Sequence, residues 1–155
     1  MITFERLPKN YKHWEIEYKS DRAYLYLNVS EKDGIKPGYE LKLNSYDLGV
    51  DNELNDIIQR MRFEHPNIKV VIITSKQEKN FSAGANIYML GMSEHSWKVN
   101  FCKFTNETRN GFEDSSKSGS IKFIAAINAF FDSLSGKLSR SCIALSDICL
   151  ILSCV

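Results

Sequence analysis

A run of small residues whose backbone N–H groups could bind a reacting oxygen follows a short apolar segment in the middle of the chain. The apolar segment is 69–74, and the run is Phe81-Ser82-Ala83-Gly84-Ala85-Asn86. Because small side chains let a backbone come close to a ligand, such a run can aim peptide N–H groups at an oxygen that gains negative charge. A helix starting next would add positive potential there. Taken alone, these residue types favour a simpler interpretation, a tight connection between a strand and a helix.

The other reactive side chains lack the spacing that site chemistry requires. The histidines at 13, 65 and 95 have no partners at a catalytic or metal-binding spacing, and His65 is expected only to end a helix. The four cysteines, at 102, 142, 149 and 154, form no CxxC pair, which argues against zinc. Cys102 is expected to be a buried small apolar residue. No GxGxxG run follows the apolar segment, so dinucleotide binding is discarded.

The bulk composition is that of one soluble globular domain. The chain has 155 residues, 43% hydrophobic and 25% charged, with a formal net charge of +1. Such a balance provides no field that would recruit nucleic acid or an anionic membrane surface. No apolar run is long enough to span a bilayer, and the first six residues carry no apolar signal segment. We therefore expect a cytoplasmic protein with reduced thiols.

The hydrophobic periodicity predicts an α/β fold with parallel pairing. Alternation over 14–18 and 23–28 predicts a hairpin, and the apolar runs 69–74 and 121–127 predict buried strands. Between them, 50–61 shows the spacing of an amphipathic helix.

The helix boundaries follow from capping residues. Asp47 or Asp51 is expected to cap the first helix, and Pro66 to end it. A second helix is expected to start near Ser93 and to end at a C-cap, Gly111.

Several stretches resemble the crotonase (enoyl-CoA hydratase/isomerase) superfamily. Residues 70–74 with 81–87 resemble its strand and oxyanion turn, and 124–128 resembles the strand that leads into its Gly-rich turn. Three further runs resemble, within that superfamily, the benzoyl-CoA-dihydrodiol lyases: the long runs 39–51 and 97–111 and the short run 62–66. The resemblance covers about residues 11–128 and corresponds to the N-terminal part of such enzymes. It implies an incomplete crotonase-like ββα spiral, an N-terminal hairpin followed by alternating strands and helices.

The resemblance also implies a role for the small-residue run. The backbone N–H of Ala85 would be the first donor of an oxyanion hole, and the substrate-binding residues around it would be Ser82, Ala83, Gly84 and Asn86. Asn86 stands where many crotonases have an aspartate, so a carboxylate role is not carried over to it.

The same resemblance places the CoA moiety against residues 41–44. Leu41, Lys42 and Asn44 are the implied contacts, with Lys42 reaching a phosphate; the alternative is a solvated loop lysine. The aromatic stripe of Trp97, Phe101 and Phe104 could wall an aromatic acyl pocket, but such a stripe is more often core.

The implied reaction is ring opening of a CoA-linked dihydrodiol or epoxide of benzoate, a carbon–carbon lyase reaction that releases formate. No metal or redox cofactor is implied, because CoA is part of the substrate, and full-length relatives are expected to be homo-oligomers. Two alternatives stay open. One is a plain enoyl-CoA hydratase or isomerase, which would lack the 97–111 run, and the other is a non-catalytic remnant that at most binds acyl-CoA or a partner.

The resemblance stops at Asn128. The family continues there with a Gly-rich turn, which holds the second oxyanion donor, and a catalytic glutamate; this chain continues with Ala129-Phe130-Phe131-Asp132-Ser133. From 132 onward there is no aromatic residue. We therefore divide the chain into part of a crotonase-like domain (1–128) and a non-matching tail (129–155). The tail is expected to come from a frameshift or a truncated reading frame, and the chain as given is expected to be inactive.

Overall fold

The computed structural model describes residues 2–78 and 80–127, and the backbone alone of 141–143. Within them one sheet runs in the order β1-β2-β3-β4-β5, with these bounds: β1 Trp14–Lys19, β2 Arg22–Leu27, β3 Val70–Ser75, β4 Lys122–Ile127 and β5 Ser141–Ile143. β1 and β2 form the predicted hairpin, and β2, β3 and β4 are parallel. The predicted α/β class with parallel pairing is confirmed. β5 pairs antiparallel with β4, and the other predictions about the tail lie outside the described residues.

The first long helix, α1, spans Leu48–Glu64 and has the predicted ends. Asp47 is the N-cap, since its Oδ1 accepts hydrogen bonds from the N–H groups of Gly49 (2.8 Å) and Val50 (3.1 Å). Of the two predicted caps, Asp47 is therefore confirmed, and Asp51 instead lies buried in the first turn. The helix ends before Pro66, with His65 at its C-cap.

Two helices, α2 (Ile87–Met92) and α3 (His95–Lys117), separate β3 from β4. The predicted C-cap at Gly111 is wrong, because α3 continues for six residues beyond it and buries Phe112 and Ser115. Gly111 faces α1: a Cβ placed on it would lie 3.5 Å from Cγ2 of Ile58. Gly111 therefore lies where α3 packs on α1, at a position that could hold a Cβ at ordinary contact distance, and it does not end the helix.

The core lies between the helices and one face of the sheet. Leu25, Ile73 and Ala125 stand side by side in the register of β2, β3 and β4, and each is completely buried. On the opposite face, Tyr24, Ile72 and Ile124 also stand side by side, but Tyr24 and Ile72 are only half-buried and Ile124 is 37% exposed. The sheet is thus covered by helices on one face within the described residues.

We find no helix in the described part of the chain that combines the length and the apolar character needed to cross a bilayer.

Candidate active site

The small-residue run forms a turn between β3 and α2, held from outside by the segment that precedes α1. Gly84 has φ +74°, a left-handed conformation that a residue without a Cβ adopts at little cost. The Ala83 N–H donates to the carbonyl of Leu43 (3.1 Å). Ser82 Oγ donates to the carbonyl of Asn44 (2.9 Å) and accepts from the Gly84 N–H (3.1 Å). These bonds fix the path of the turn.

The direction of the Ala85 peptide group follows from a parallel bridge with Tyr46. The Tyr46 N–H donates to the carbonyl of Gly84, and the Asn86 N–H donates to the carbonyl of Tyr46, each at 2.8 Å. In parallel pairing, the residue between two such bonds points its own N–H away from the partner segment. Accordingly, no hydrogen bond among the described residues uses the Ala85 N–H as donor.

Ala85 lines a cavity of about 460 Å³ together with residues from segments 38–45 and 83–88. This volume is within the range of small-molecule sites, roughly 300–1,000 Å³. Three large apolar side chains on its lining are more than half exposed: Leu43, Ile87 and Tyr88. The cavity therefore combines apolar contact surface with the peptide donor of Ala85.

One wall of the cavity has an unusual backbone, with Leu43 (φ 58°) and Asn44 (φ 53°) both left-handed. A residue other than glycine in this backbone conformation stores about 1–3 kcal/mol of strain. The fully buried amide of Asn44 holds the wall in place. Its Oδ1 accepts from the Val29 N–H (3.0 Å), and its Nδ2 donates to Ser75 Oγ (2.9 Å) and to the carbonyl of Phe81 (3.1 Å).

The structure brings part of the predicted site together at this cavity. Lys42, Ala83, Ala85 and Asn86 line it. The Nζ of Lys42 lies 3.1 Å from a carboxylate oxygen of Glu40, and this ion pair raises the lysine's pKa.

The other predicted contacts are part of the scaffold. The Leu41 side chain is fully buried in the core, so it cannot touch a ligand in the cavity. Asn44, Ser82 and Gly84 shape the wall and the turn through the bonds given above.

Asn86 occupies the predicted place but has a capping role. Its Oδ1 accepts from the Met89 N–H (2.8 Å), which caps α2. Its Nδ2 donates to the carbonyl of Glu40 (2.8 Å) and to Ser45 Oγ (2.9 Å). With both atoms engaged, the side chain ties the turn to the cavity wall.

The aromatic stripe of α3 packs as core. Phe101 is fully buried, and Trp97 and Phe104 pack against the core cluster. Lys36 Nζ lies over the Trp97 ring, 3.2 Å from its centroid, and Phe4 covers Phe104. Cys102, predicted to be buried, is only half-buried.

A buried polar cluster near the turn was not predicted. Asp51 accepts from the hydroxyls of Tyr46 (2.6 Å) and Thr108 (2.9 Å), and Thr108 Oγ1 also accepts from Asn55 Nδ2 (3.2 Å). Burial raises the pKa of Asp51 to about 6, although the two hydroxyl hydrogen bonds act in the opposite direction. The one available signal was a carboxylate between Val50 and Leu54 on the apolar face of α1, which we assigned to capping.

The fold agrees with the comparisons to solved structures. Enoyl-CoA hydratase from Geobacillus kaustophilus HTA426 superposes with a TM-score of 0.64 at 31% identity, covering 76% of this chain and 39% of that enzyme. The enoyl-CoA hydratase from Thermoplasma volcanium GSS1 gives 0.58 at 27% identity, covering 77% and 41%. No family model matches the chain. The structural likenesses show that the described part of the chain has part of a crotonase-like fold.

Among curated proteins, the chain is similar to benzoyl-CoA-dihydrodiol lyase of Aromatoleum evansii. The two are 58% identical over 128 residues, which are 83% of this chain and 23% of that enzyme. The predicted resemblance is confirmed, and the chain spans about a quarter of the length of the relative that it matches.

Proposed function

We propose that this chain provides the thioester-binding part of a lyase acting on a CoA-linked dihydrodiol or epoxide of benzoate. The observation that carries the proposal is the Ala85 N–H, which lines a cavity and has no acceptor among the described residues. A buried peptide N–H is almost always paired, so an unpaired one at a cavity suits a ligand oxygen. The similarity to benzoyl-CoA-dihydrodiol lyase supports the choice of substrate class.

The Ala85 N–H would act on the thioester carbonyl. When that oxygen gains negative charge, a donor already fixed in direction stabilises it without reorganising. The bridge to Tyr46 supplies such fixing. The exposed apolar side chains of Leu43, Ile87 and Tyr88 would contact the organic part of the ligand.

We infer that the chain as given binds but does not turn over its ligand. An oxyanion hole needs a second donor, and losing one donor typically reduces the rate by about 10²–10³-fold. Residues 129–155 contain one glycine and no glutamate, so neither the family's Gly-rich turn nor its acid/base glutamate is among them. Three expectations stay predictions from the sequence. They are a reaction without a metal or redox cofactor, homo-oligomeric full-length relatives, and a cytoplasmic location.

A second candidate is an enoyl-CoA hydratase or isomerase, which the structural likenesses favour. The 58% identity to the lyase, against 31% to the first of these hydratases, makes it the weaker choice. The two candidates share the thioester carbonyl as the group that Ala85 would bind, and they differ in the acyl group.

The test is an NMR titration of residues 1–155, labelled with ¹⁵N, with benzoyl-CoA. We expect weak binding in which the Ala85 amide shifts most, a smaller response to CoA alone, and none to benzoate. Crotonyl-CoA serves as the hydratase-type comparison and should bind more weakly than benzoyl-CoA. A benzoyl-CoA response that leaves Ala85 unchanged would contradict the proposed site, and formate release from the dihydrodiol ester would contradict the inferred inactivity.

A further inference from the structure

We propose that Asp51 is a positioning residue that acts through Tyr46 to set the direction of the Ala85 N–H. The inference rests on the proposed function, because the direction of this N–H matters only if Ala85 is the oxyanion donor. Asp51 itself lines no part of the cavity wall described above.

The first step is the anchoring of the Tyr46 side chain. Its hydroxyl donates to Asp51 at 2.6 Å, and the other carboxylate oxygen accepts from Thr108 of α3 at 2.9 Å. Asn55 of α1 donates to the same threonine oxygen at 3.2 Å. One carboxylate thus joins Tyr46 to both long helices.

The second step is the transfer of this anchoring to the turn. The backbone N–H and carbonyl of Tyr46 bind the residues on either side of Ala85, both at 2.8 Å. Tyr46 is 1% exposed, so its ring has no room to move without its backbone. A change at the hydroxyl is therefore transmitted to the peptide plane of Ala85.

The turn has other supports, which limits the expected effect. The Ala83 N–H is bound to Leu43, and the Asn86 side chain is bound to Glu40 and Ser45. These bonds maintain the turn when the Tyr46 anchor is lost. The expected result is therefore a tilted Ala85 N–H in a folded protein.

The use of a carboxylate at this place supports positioning over stability. Burying an ionised carboxylate costs several kcal/mol, and apolar replacements of buried charges are often neutral or stabilising. Burial does act on this group, as its raised pKa shows. What the carboxylate offers in return is two directed acceptors, one for each hydroxyl.

The test compares Asp51→Asn and Tyr46→Phe with the matched control Tyr11→Phe. The control also breaks a tyrosine–aspartate hydrogen bond to α1, between Tyr11 and Asp56. Residues 1–155 of each variant are titrated with benzoyl-CoA while the Ala85 amide is followed by NMR. We expect both variants to bind benzoyl-CoA about fivefold more weakly, which corresponds to the loss of one net hydrogen bond. Their affinity for CoA alone should not change. The control should bind both as the unsubstituted chain does.

Amide hydrogen exchange provides a readout that needs no ligand. The Asn86 amide should exchange faster in both variants, while the amides of Val71 and Ile73 in β3 stay as slow as in the control. If either variant fails to fold, Thr108→Val replaces it, with Thr108→Ser expected to restore the behaviour by returning the hydroxyl.

The two ideas fail separately. If the Ala85 amide of the unsubstituted chain ignores benzoyl-CoA, the proposed function is wrong, and a faster Asn86 exchange still supports the positioning. If Ala85 responds normally in both variants and Asn86 exchange equals that of the control, the positioning role of Asp51 is overturned. Equal acceleration at Asn86 and in β3 also overturns it, because this result shows general destabilisation.

Discussion

The N–H of Ala85 differs from those of its two neighbours in the chain, because theirs have hydrogen-bond acceptors. Gly84 and Asn86 give their N–H groups to Ser82 and Tyr46, whereas the Ala85 N–H has no acceptor in the described part of the chain. Removing this donor should therefore leave the fold's own hydrogen bonds intact.

We predict that Ala85→Pro, which has no N–H, weakens benzoyl-CoA binding about fivefold and leaves binding of CoA alone unchanged. The melting temperature should stay close to that of Ala85→Gly, which keeps the donor and is the control. Isothermal titration calorimetry measures both affinities. An equal loss of affinity for both ligands would show that proline had distorted the cavity, and would contradict the assignment.

The buried carboxylate of Asp51 should make stability depend on pH. Its pKa is raised from 3.8 to about 6, so the folded state binds a proton that the unfolded state has lost between these values. The free energy of unfolding should then fall by about 3 kcal/mol in all as pH rises from below 3 to above 7, with about 2 kcal/mol of this loss between pH 4 and 6.

The measurement is urea unfolding of the unsubstituted chain and of Asp51→Asn across this pH range. Groups common to both proteins, such as His13, whose pKa burial lowers, cancel in the difference. We expect the difference to grow with pH in favour of the variant. A difference that is constant from pH 4 to 7 would show that Asp51 does not titrate in this window.

The sequence predicted the residues of the turn but not the bonds that direct it. The turn could be predicted because small residues directly after an apolar run are a local pattern. The cluster of Tyr46, Asp51 and Thr108 could not, since a helix face shows that a carboxylate is buried but not which hydroxyl from another element meets it. The same holds for Leu41, which was predicted to contact CoA and whose position in the sequence gave no sign that it faces the core.

At the scale of elements, α3 packs against α1 at Gly111. A Cβ there would meet Ile58 of α1 at 3.5 Å and Gln59 at 3.6 Å, both ordinary contact distances. Glycine inside a helix costs up to about 1 kcal/mol relative to alanine. We predict that Gly111→Ala stabilises the protein by up to about 1 kcal/mol in thermal or urea unfolding.

Gly91 in α2 is the matched control, because a Cβ there meets nothing within 4 Å. Gly91→Ala reports helix propensity alone, so its effect should equal or exceed that of Gly111→Ala. A loss of stability confined to Gly111→Ala would mean that the helices pack more tightly than the structure shows. Gly111 was wrongly predicted as a C-cap because glycine is a common signal of a helix end in a sequence. Its contact with the other helix can be seen only in the three-dimensional structure.

At the scale of the whole molecule, the sheet has one face that the helices of residues 2–127 do not cover. Parallel strands are normally buried on both faces, yet Tyr24, Ile72 and Ile124 remain partly accessible. Large exposed apolar patches promote association. We predict that residues 1–155 self-associate at micromolar concentration.

Analytical ultracentrifugation tests this prediction with one variant and one control. Ile124→Thr keeps a β-branched side chain on β4 but makes the open face more polar, so association should weaken. Phe63→Lys removes an isolated aromatic ring that is 79% exposed and should leave association unchanged. A monomer in the unsubstituted chain, with a sharp cooperative melt, would contradict the prediction.

The three bonds of Asn44 have a kinetic consequence. They tie the wall of the cavity to Val29 after β2, to Ser75 at the end of β3, and to Phe81 before the turn. Because one side chain makes all three hydrogen bonds, the wall cannot move away from the sheet while the carboxyl ends of β2 and β3 keep their structure. We therefore expect any opening of this wall to require local unfolding at the ends of β2 and β3.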